Sequence, residues 1–527
     1  MNAITPIPSL VPENAPFTEE QRSWLNGFFA AYLGVAGPGA EDGDGAGAAA
    51  GAGAEEDFPW HDAALPLAER LALAEGRKPE RQLMAAMAQL DCGQCGYLCQ
   101  TYAEAVWSGA EADLGRCVPG GKETQRKLKD LVAALETERG GIAPSAPASK
   151  AGAPVGSRDR PALAILVDAH PLNRPGSGKD VRHVVLDLSA TDLTYEAGDS
   201  LGVFARKNPA LVQAVLDRLG ATGEEMVAFD GDALPLRQVL LGKVDIARPS
   251  DDCFLFLAER AFDGEEAMKL QALARGEGPA ALAEADLLDV LLAFPSVMPS
   301  LPGLLKSLDR LQPRLYSIAS SSRAHPQEVH LTVSAVRWDA NARTRTGIGS
   351  CYLADFARPG DVIPVFVQKS HGFGPPADDA APAIMVGPGT GIAPFRAFLE
   401  EREARGATGS NWLFFGDQKR STDFLYEDQV LDWQRRGVLT RLDLAFSRDQ
   451  EEKLYVQHRM LENAVELWRW IEDGAHVYVC GDAKRMAKDV EDTLLRIAVE
   501  QGGRDDAGAR AWLDGLARSG RYQRDVY

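Results

Sequence analysis

Cys92, Cys95, Cys99 and Cys117 follow the spacing C-x2-C-x3-C-x17-C, so four thiols stand within 26 residues of a 527-residue chain. Four thiolates from one short segment suit either a tetrahedral zinc ion or an iron–sulfur cluster. Three cysteines within eight residues, with a remote fourth followed closely by Pro119, favour a cubane 4Fe-4S cluster, because zinc more often takes two paired knuckles. Structural zinc and unrelated thiols are the alternatives. Gly93, Gly96, Gly120 and Gly121 permit the tight turns such a segment needs. Cys253, Cys351 and Cys480 stand singly, and an odd total of seven in a large chain argues against a disulfide framework.

Arg314, Leu315, Tyr316 and Ser317 form a second group. In a strand, Arg314 and Tyr316 share one face, while Ser317 takes the other or enters a following bend. The guanidinium offers a fork for a pyrophosphate, the phenol an aromatic plane for a ring, and the hydroxyl a partner for a ring nitrogen. Gly347, Ile348, Gly349 and Ser350 lead into an expected helix, where backbone N–H groups can bind an anion. Gly387 to Pro394, with Gly389, Thr390 and Gly391 at its centre, stands between an apolar run and a helical pattern. It lacks the G-x-G-x-x-G form but serves the same need, a close approach of backbone to pyrophosphate. Ser447 and Arg448 are followed by Lys453, Leu454, Tyr455, Val456 and Gln457. Two cations, a hydroxyl and a phenol suit a 2′-phosphate, where an NAD site would usually carry a carboxylate; a solvated loop is the bland reading. Cys480 by itself reads as a small buried hydrophobe.

These groups need elements to hold them. Residues 18–29 carry a short helical pattern in which Thr18 and Gln21 could form a capping box. Residues 36–56 are almost all Gly, Ala, Asp and Glu and read as a flexible linker. Residues 64–90 and about 124–139 read as helical, and 140–160 as a second linker rich in Ala, Pro, Gly and Ser. β-like runs at 162–168, 181–188, 200–204, 314–318, 328–338 and 362–367 flank a Leu- and Ala-rich helical stretch, which predicts an antiparallel β-barrel with a helical insertion. Beyond 380, apolar strands alternate with helices, which predicts an α/β domain with a mostly parallel sheet. The fold class is therefore multidomain, with a small α-rich module ahead of these two. A net charge of −20 argues against a nucleic-acid binder, which would normally show a basic face, and suits a docking partner with a basic patch. No apolar run approaches the roughly 18–20 residues of a membrane span, and Met1–Leu10 carry no basic residue ahead of an apolar core, so the expected location is cytoplasmic.

Arg314 to Ser317 resemble the FAD-binding signature of the ferredoxin-NADP reductase superfamily, and within it the diflavin branch that includes cytochrome P450 reductase and the sulfite reductase flavoproteins. The resemblance implies that Gly347 to Leu353 cradle the FAD pyrophosphate. Thr332, Val333 and Ser334 match the adenine-side strand, Trp338 an aromatic stacked on the adenine, and Ser250, loosely, a further FAD contact. Gly387 to Pro394 is similar to the NADP loop. Ser447, Arg448, the run Lys453 to Gln457 and Asp489 match groups that bind the NADPH 2′-phosphate and adenine. The resemblance sets Cys480 beside the nicotinamide, with Ser317 and Asp525 close to the hydride path. Tyr527 resembles the aromatic that covers the flavin ring and must move for nicotinamide to stack. The cysteine segment resembles a small four-cysteine iron–sulfur domain of multi-subunit electron-transfer proteins.

Over about residues 160–527 the resemblance is strongest to the NADPH-dependent sulfite reductase flavoproteins, through Gly481 to Asp489 and Arg524 to Tyr527. That family carries an N-terminal FMN flavodoxin domain. Residues 1–159 contain no phosphate loop after an N-terminal strand, so no FMN is expected, and the iron–sulfur module stands in its place. The implied activity passes electrons from NADPH through FAD and a 4Fe-4S cluster to a hemoprotein, foremost a sulfite reductase hemoprotein reducing sulfite to sulfide in assimilation. The alternatives are another acceptor, such as nitrate or nitrite reductase or a cytochrome, or cysteines that hold a structural zinc interaction module. The expected limits are 1–62 for a helix and linker, 63–139 for the cysteine module, 140–160 for a linker, 161–375 for the FAD barrel with its insertion at about 208–305, and 380–527 for the NADP domain.

Overall fold

The computed structural model describes residues 58–63, 65–91, 93–139, 154–279, 282, 284–370 and 372–527. The expected helix at 18–29, the linker at 36–56, Cys92 and most of 140–160 lie outside the described residues.

The cysteine segment is carried by helices. The stretch 64–90, expected to be helical, carries two short helices, Leu67–Leu73 and Pro79–Ala86. Gly76 turns at φ +73°, and Pro79, which lacks an N–H, can only open a helix. Two longer helices follow, α1 (Cys99–Ser108) and α2 (Gly121–Arg139).

Strand β1 (Ala162–Pro171) buries Ala162, Ala164 and Leu166 and exposes Leu163, Ile165 and Val167. This alternation is that of a sheet with one wet face. With β2 (Val181–Asp187), β3 (Ser200–Val203), β6 (Arg314–Ser317), β7 (Glu328–Ser334) and β10 (Val362–Gln368) it forms a six-stranded antiparallel sheet in the order β6-β3-β10-β1-β2-β7. An antiparallel bridge between Ile318 and Leu331 joins the two edge strands and closes the sheet into a barrel. Leu166, Val184, Leu201, Val203, Leu331 and Val333 fill it.

Between β3 and β6 lies the helical insertion, with its own core and a small hairpin of β4 (Met226–Phe229) and β5 (Asp232–Pro235). Its helix α3 (Asp251–Ala258) is capped by Ser250. The run 328–338, expected as one β segment, divides. β7 ends at Ser334, and a separate hairpin follows, β8 (Arg337–Ala340) with β9 (Arg343–Thr346).

From 383 onward the sheet is parallel, in the order β13-β12-β11-β14-β15. Its strands are β11 (Ala383–Val386), β12 (Asn411–Asp417), β13 (Arg441–Phe446), β14 (His476–Gly481) and β15 (Tyr522–Val526). Every residue of β11 and β12 is buried, as expected of strands covered on both faces. Helices α4 (Ala393–Arg405), α5 (Val456–Glu462) and α6 (Met486–Glu500) lie among the covering elements. The strand order reverses between β11 and β14, so the crevice at their carboxyl ends is the place where such sheets bind ligands. Among the described residues no helix is long and apolar enough to cross a membrane.

Candidate functional site

In β6, Tyr316 and Arg314 turn toward the Gly347–Ser350 loop. A Cβ on Gly349 would lie 2.5 Å from Tyr316 Oη and 2.8 Å from Arg314 Cγ, so only glycine fits there. Burial pushes the Tyr316 phenol up and lowers Arg314, whose Nη1 donates to the Gln312 carbonyl at 2.6 Å. Leu315 pairs with Gly202, and Ile348 opens a single helical turn, Ile348–Cys351. Ser350 Oγ accepts from Val336 N at 3.2 Å and tethers the loop to the strand side.

The adenine-side candidates are spread out. Val333 is buried in the barrel core, so only its backbone can meet a ligand. The Thr332 hydroxyl lies 2.8 Å from Tyr426 Oη, on the nucleotide-domain side, and Ser334 pairs with Val181. Trp338 stands apart on β8, 43% exposed. Ser250 Oγ accepts from Cys253 N and donates to the Ser307 carbonyl, as a helix cap does.

Barrel and parallel sheet meet at a tight cluster. Ser317 Oγ donates to Asp525 Oδ2 at 2.6 Å, and Cys480 Sγ lies 3.7 Å from the same oxygen. Cys480 and Asp525 are register partners across β14 and β15. Burial raises Asp525, against the hydrogen bonds from Ser317 and Cys480. Burial, and then the Asp525 charge, holds Cys480 well above the usual thiol range, so it is a neutral donor and not a nucleophile. Tyr527, 54% exposed, sits 3.0 Å by its hydroxyl from Thr390 Oγ1. The four residues Ser317, Cys480, Asp525 and Tyr527 therefore come together around the nucleotide loop. That loop is pressed against β14, because a Cβ on Gly391 would lie 2.1 Å from the Cys480 carbonyl oxygen. Gly389 turns at φ +58°.

Ser447 and Arg448 continue from β13, their N–H groups held by the Asp417 and Gln418 carbonyls at 2.9 and 2.8 Å. Arg448 and Lys453 are exposed, and among the described residues neither has an ion-pair partner. Tyr455 is 43% exposed, Leu454 half-buried, and Val456 buried beneath β12 and β13. Gln457 Nε2 donates to Asp489 Oδ2 at 3.0 Å, which joins α5 to α6. One cation here escaped the sequence reading: Lys179 pairs with Asp417, and both lie 3.9 Å from where a Gly389 Cβ would be. The run Gly176-Ser-Gly-Lys179 was the signal available for it.

Cys95, Cys99 and Cys117 line one apolar pocket with Gly93, Tyr97 and Tyr102. Gly93 and Gly96 both take positive φ, and Asp91 accepts from Cys99 N at 2.7 Å while pairing with His61 at 2.9 Å. Burial raises the Cys95 and Cys117 thiols, so thiolates there require a bound cation. Cys95 and Cys99 are buried and Cys117 half-buried, a thiolate donor set that suits a metal centre.

This pocket is docked on the barrel through contacts invisible in the sequence. Gln94 Nε2 donates to the Pro313 carbonyl at 3.0 Å, one residue before Arg314. The Arg158 guanidinium bonds both the Gln94 carbonyl and Gln312 Oε1. Helix α2 is held to α3 by a bidentate pair, Arg126 to Asp251 at 2.7 and 2.8 Å, and by Lys129 to Asp252.

A closed antiparallel barrel with a glycine loop at β6, joined to a parallel sheet with a second glycine loop at its switch point, defines an oxidoreductase that binds a flavin and a nicotinamide nucleotide. Protein-family models agree: "FAD binding domain" matches residues 155–352, "Oxidoreductase NAD-binding domain" 385–492, and "Putative Fe-S cluster" 87–119. The chain is 44% identical over 405 residues to the sulfite reductase (NADPH) flavoprotein alpha-component of Bacillus subtilis, covering 76% of this chain and 67% of the relative. It is 44% identical over 375 residues to that of Vibrio cholerae (70% and 60%), and 39% identical over 437 residues to that of Photobacterium profundum (82% and 71%). The chain belongs to the sulfite reductase (NADPH) flavoprotein alpha-component family. It spans about 60% to 71% of the length of these curated relatives.

Proposed function

We propose that this chain is an NADPH-dependent flavoprotein reductase that draws electrons through FAD into a 4Fe-4S cluster held by Cys92, Cys95, Cys99 and Cys117, and delivers them to a sulfite reductase hemoprotein. When bound, NADPH supplies hydride, FAD accepts the pair, and the cluster carries electrons singly. The observation that carries the reading is the hydrogen bond from Gln94 to the Pro313 carbonyl, which ties the cysteine loop to the strand that opens the flavin signature.

The chain's own residues divide the work. Arg314 and the Gly347–Ser350 backbone would hold the pyrophosphate of FAD, and Tyr316 would flank its ring. Ser317 and Asp525 form the hydrogen-bonded pair nearest the hydride path, with Cys480 beside them as a neutral donor. Tyr527 would cover a bound flavin ring and would move aside for nicotinamide. Arg448, Lys453, Ser447 and Tyr455 take the 2′-phosphate and adenine, with Gln457 and Asp489 behind them. Buried Cys95 and Cys99 and half-buried Cys117 supply thiolates, and the apolar pocket excludes water. The relatives' designation as an alpha-component supports a separate acceptor subunit.

The test is metal and flavin analysis of the purified chain. About four irons and one FAD per chain, with no FMN and no stoichiometric zinc, are expected. One zinc in place of iron would reduce the module to a structural one.

A further inference from the structure

His325, Glu328 and His330 each bring one ligand atom into a group whose atoms all lie within 4.8 Å of one another. None of the roles above uses them. Glu328 opens β7 and His330 follows two residues on, so both face the same side of the strand. The preceding turn folds the His325 ring back against His330, with ring centroids 4.2 Å apart. Glu328 Oε2 lies 3.1 Å from His330 Nε2 and 3.9 Å from His325 Nδ1.

Hydrogen placement leaves a gap in this group. Glu400 Oε1 lies 3.4 Å from His325 Nε2, and a carboxylate only accepts, so the proton of a neutral His325 belongs on Nε2. The Nδ1 lone pair then faces the Glu328 carboxylate with no hydrogen between two acceptors. A cation in that space satisfies both.

We propose that His325 Nδ1, the Glu328 carboxylate and His330 Nε2 form a binding site for a divalent transition cation of the zinc class. Two imidazoles and one carboxylate with open positions are a zinc donor set, whereas calcium and magnesium take oxygen ligands. Glu400, from α4, serves as the outer partner that accepts the His325 Nε2–H and orients the ring. Occupancy requires His330 to carry its proton on Nδ1. Arg396 then gives up a 3.4 Å contact but keeps Glu400 at 2.7 Å, Gln429 at 2.8 Å and the Ala319 carbonyl. The neighbouring Glu401 is already engaged by Arg323 and Ser321. The site stands where the barrel touches the nucleotide domain, since Ser321 N and Oγ donate to Glu400 and Glu401 at 3.0 and 2.6 Å. A bound ion therefore fixes the 321–330 turn against α4.

The test is titration calorimetry of zinc chloride into the full-length, cofactor-loaded protein, with thermal unfolding in parallel. One zinc per chain is expected to bind to wild type, with a raised Tm, and magnesium to give neither effect. His325→Ala and Glu328→Gln, both at partly exposed positions, should abolish that equivalent while leaving NADPH-driven dye reduction unchanged. Glu400→Gln should weaken it about 10- to 100-fold. Zinc binding of equal stoichiometry and affinity in wild type and both variants would overturn the assignment, since the ion would then sit elsewhere, the cysteines included. So would no binding to wild type.

Discussion

Ser317 and Asp525 lie 208 positions apart in the chain, yet the serine hydroxyl donates to the carboxylate at 2.6 Å, joining the flavin strand of the barrel to the last strand of the parallel sheet. The acceptor is a buried acid whose pKa burial raises. A group raised in the folded state contributes stability fully below its unfolded pKa, and that contribution is lost as pH rises through the folded value. Ionising Asp525 therefore costs stability once pH rises above its raised value. Asp525→Asn should equal wild type in Tm near about pH 4 and exceed it at high pH, while single-turnover NADPH oxidation slows because the carboxyl acceptor for Ser317 is gone. A wild type that is the more stable of the two at high pH would contradict this reading.

Gly349 has no room for a side chain between Arg314 and Tyr316. Both side chains belong to residues whose backbone is held by the β6–β3 pairing. Gly349→Ala should yield a folded protein that loses most of its FAD on purification, measured by the absorbance ratio of flavin to protein. Full flavin retention would mean that the cradle lies elsewhere.

Arg448→Ala and Lys453→Ala should each raise KM for NADPH about tenfold and leave that for NADH nearly unchanged. The estimate is about 1.5 kcal/mol per charge-assisted contact, the low end because both side chains are exposed. The effect should shrink with added salt, since exposed charges are screened. Equal losses for the two nucleotides would move the 2′-phosphate site.

Tyr527 is held by its backbone bonds to Gly481 and Ala483 and by its hydroxyl to Thr390 and Cys480, and its ring is half exposed, so it can leave without breaking a packed core. Tyr527→Ala should tighten NADP+ binding and weaken the preference for NADPH over NADH. Unchanged selectivity, together with an unchanged flavin spectrum, would show that the ring does not cover the flavin.

Much of this arrangement is local and therefore legible. The barrel alternation in β1, the glycine loops and the buried runs of β11 and β12 each announce themselves within ten residues. Long-range juxtapositions do not. The Cys480–Asp525 register depends on strand order across a parallel sheet, and from sequence only a family resemblance links the two residues. Gln94 meets Pro313 across 219 positions through an amide and a carbonyl, groups that leave no charge or hydropathy pattern. The stretch 64–90 reads as helical because Ala, Leu, Glu and Arg dominate its composition, and Gly76 and Pro79 divide it into two helices. His325, Glu328 and His330 lay within six residues, but alternation along a strand hides which side chains a preceding turn brings back.

The central claim is that electrons entering at the nucleotide sheet reach the cysteine module inside this one chain. Anaerobic titration of the purified protein with NADPH, followed by low-temperature EPR, tests it most directly. The account predicts a reduced-cluster signal that grows to about one spin per chain, and its loss in Cys117→Ser, which should still reduce a two-electron dye through FAD. A wild-type cluster that dithionite reduces but NADPH leaves silent would contradict the account, as would a protein that carries no iron.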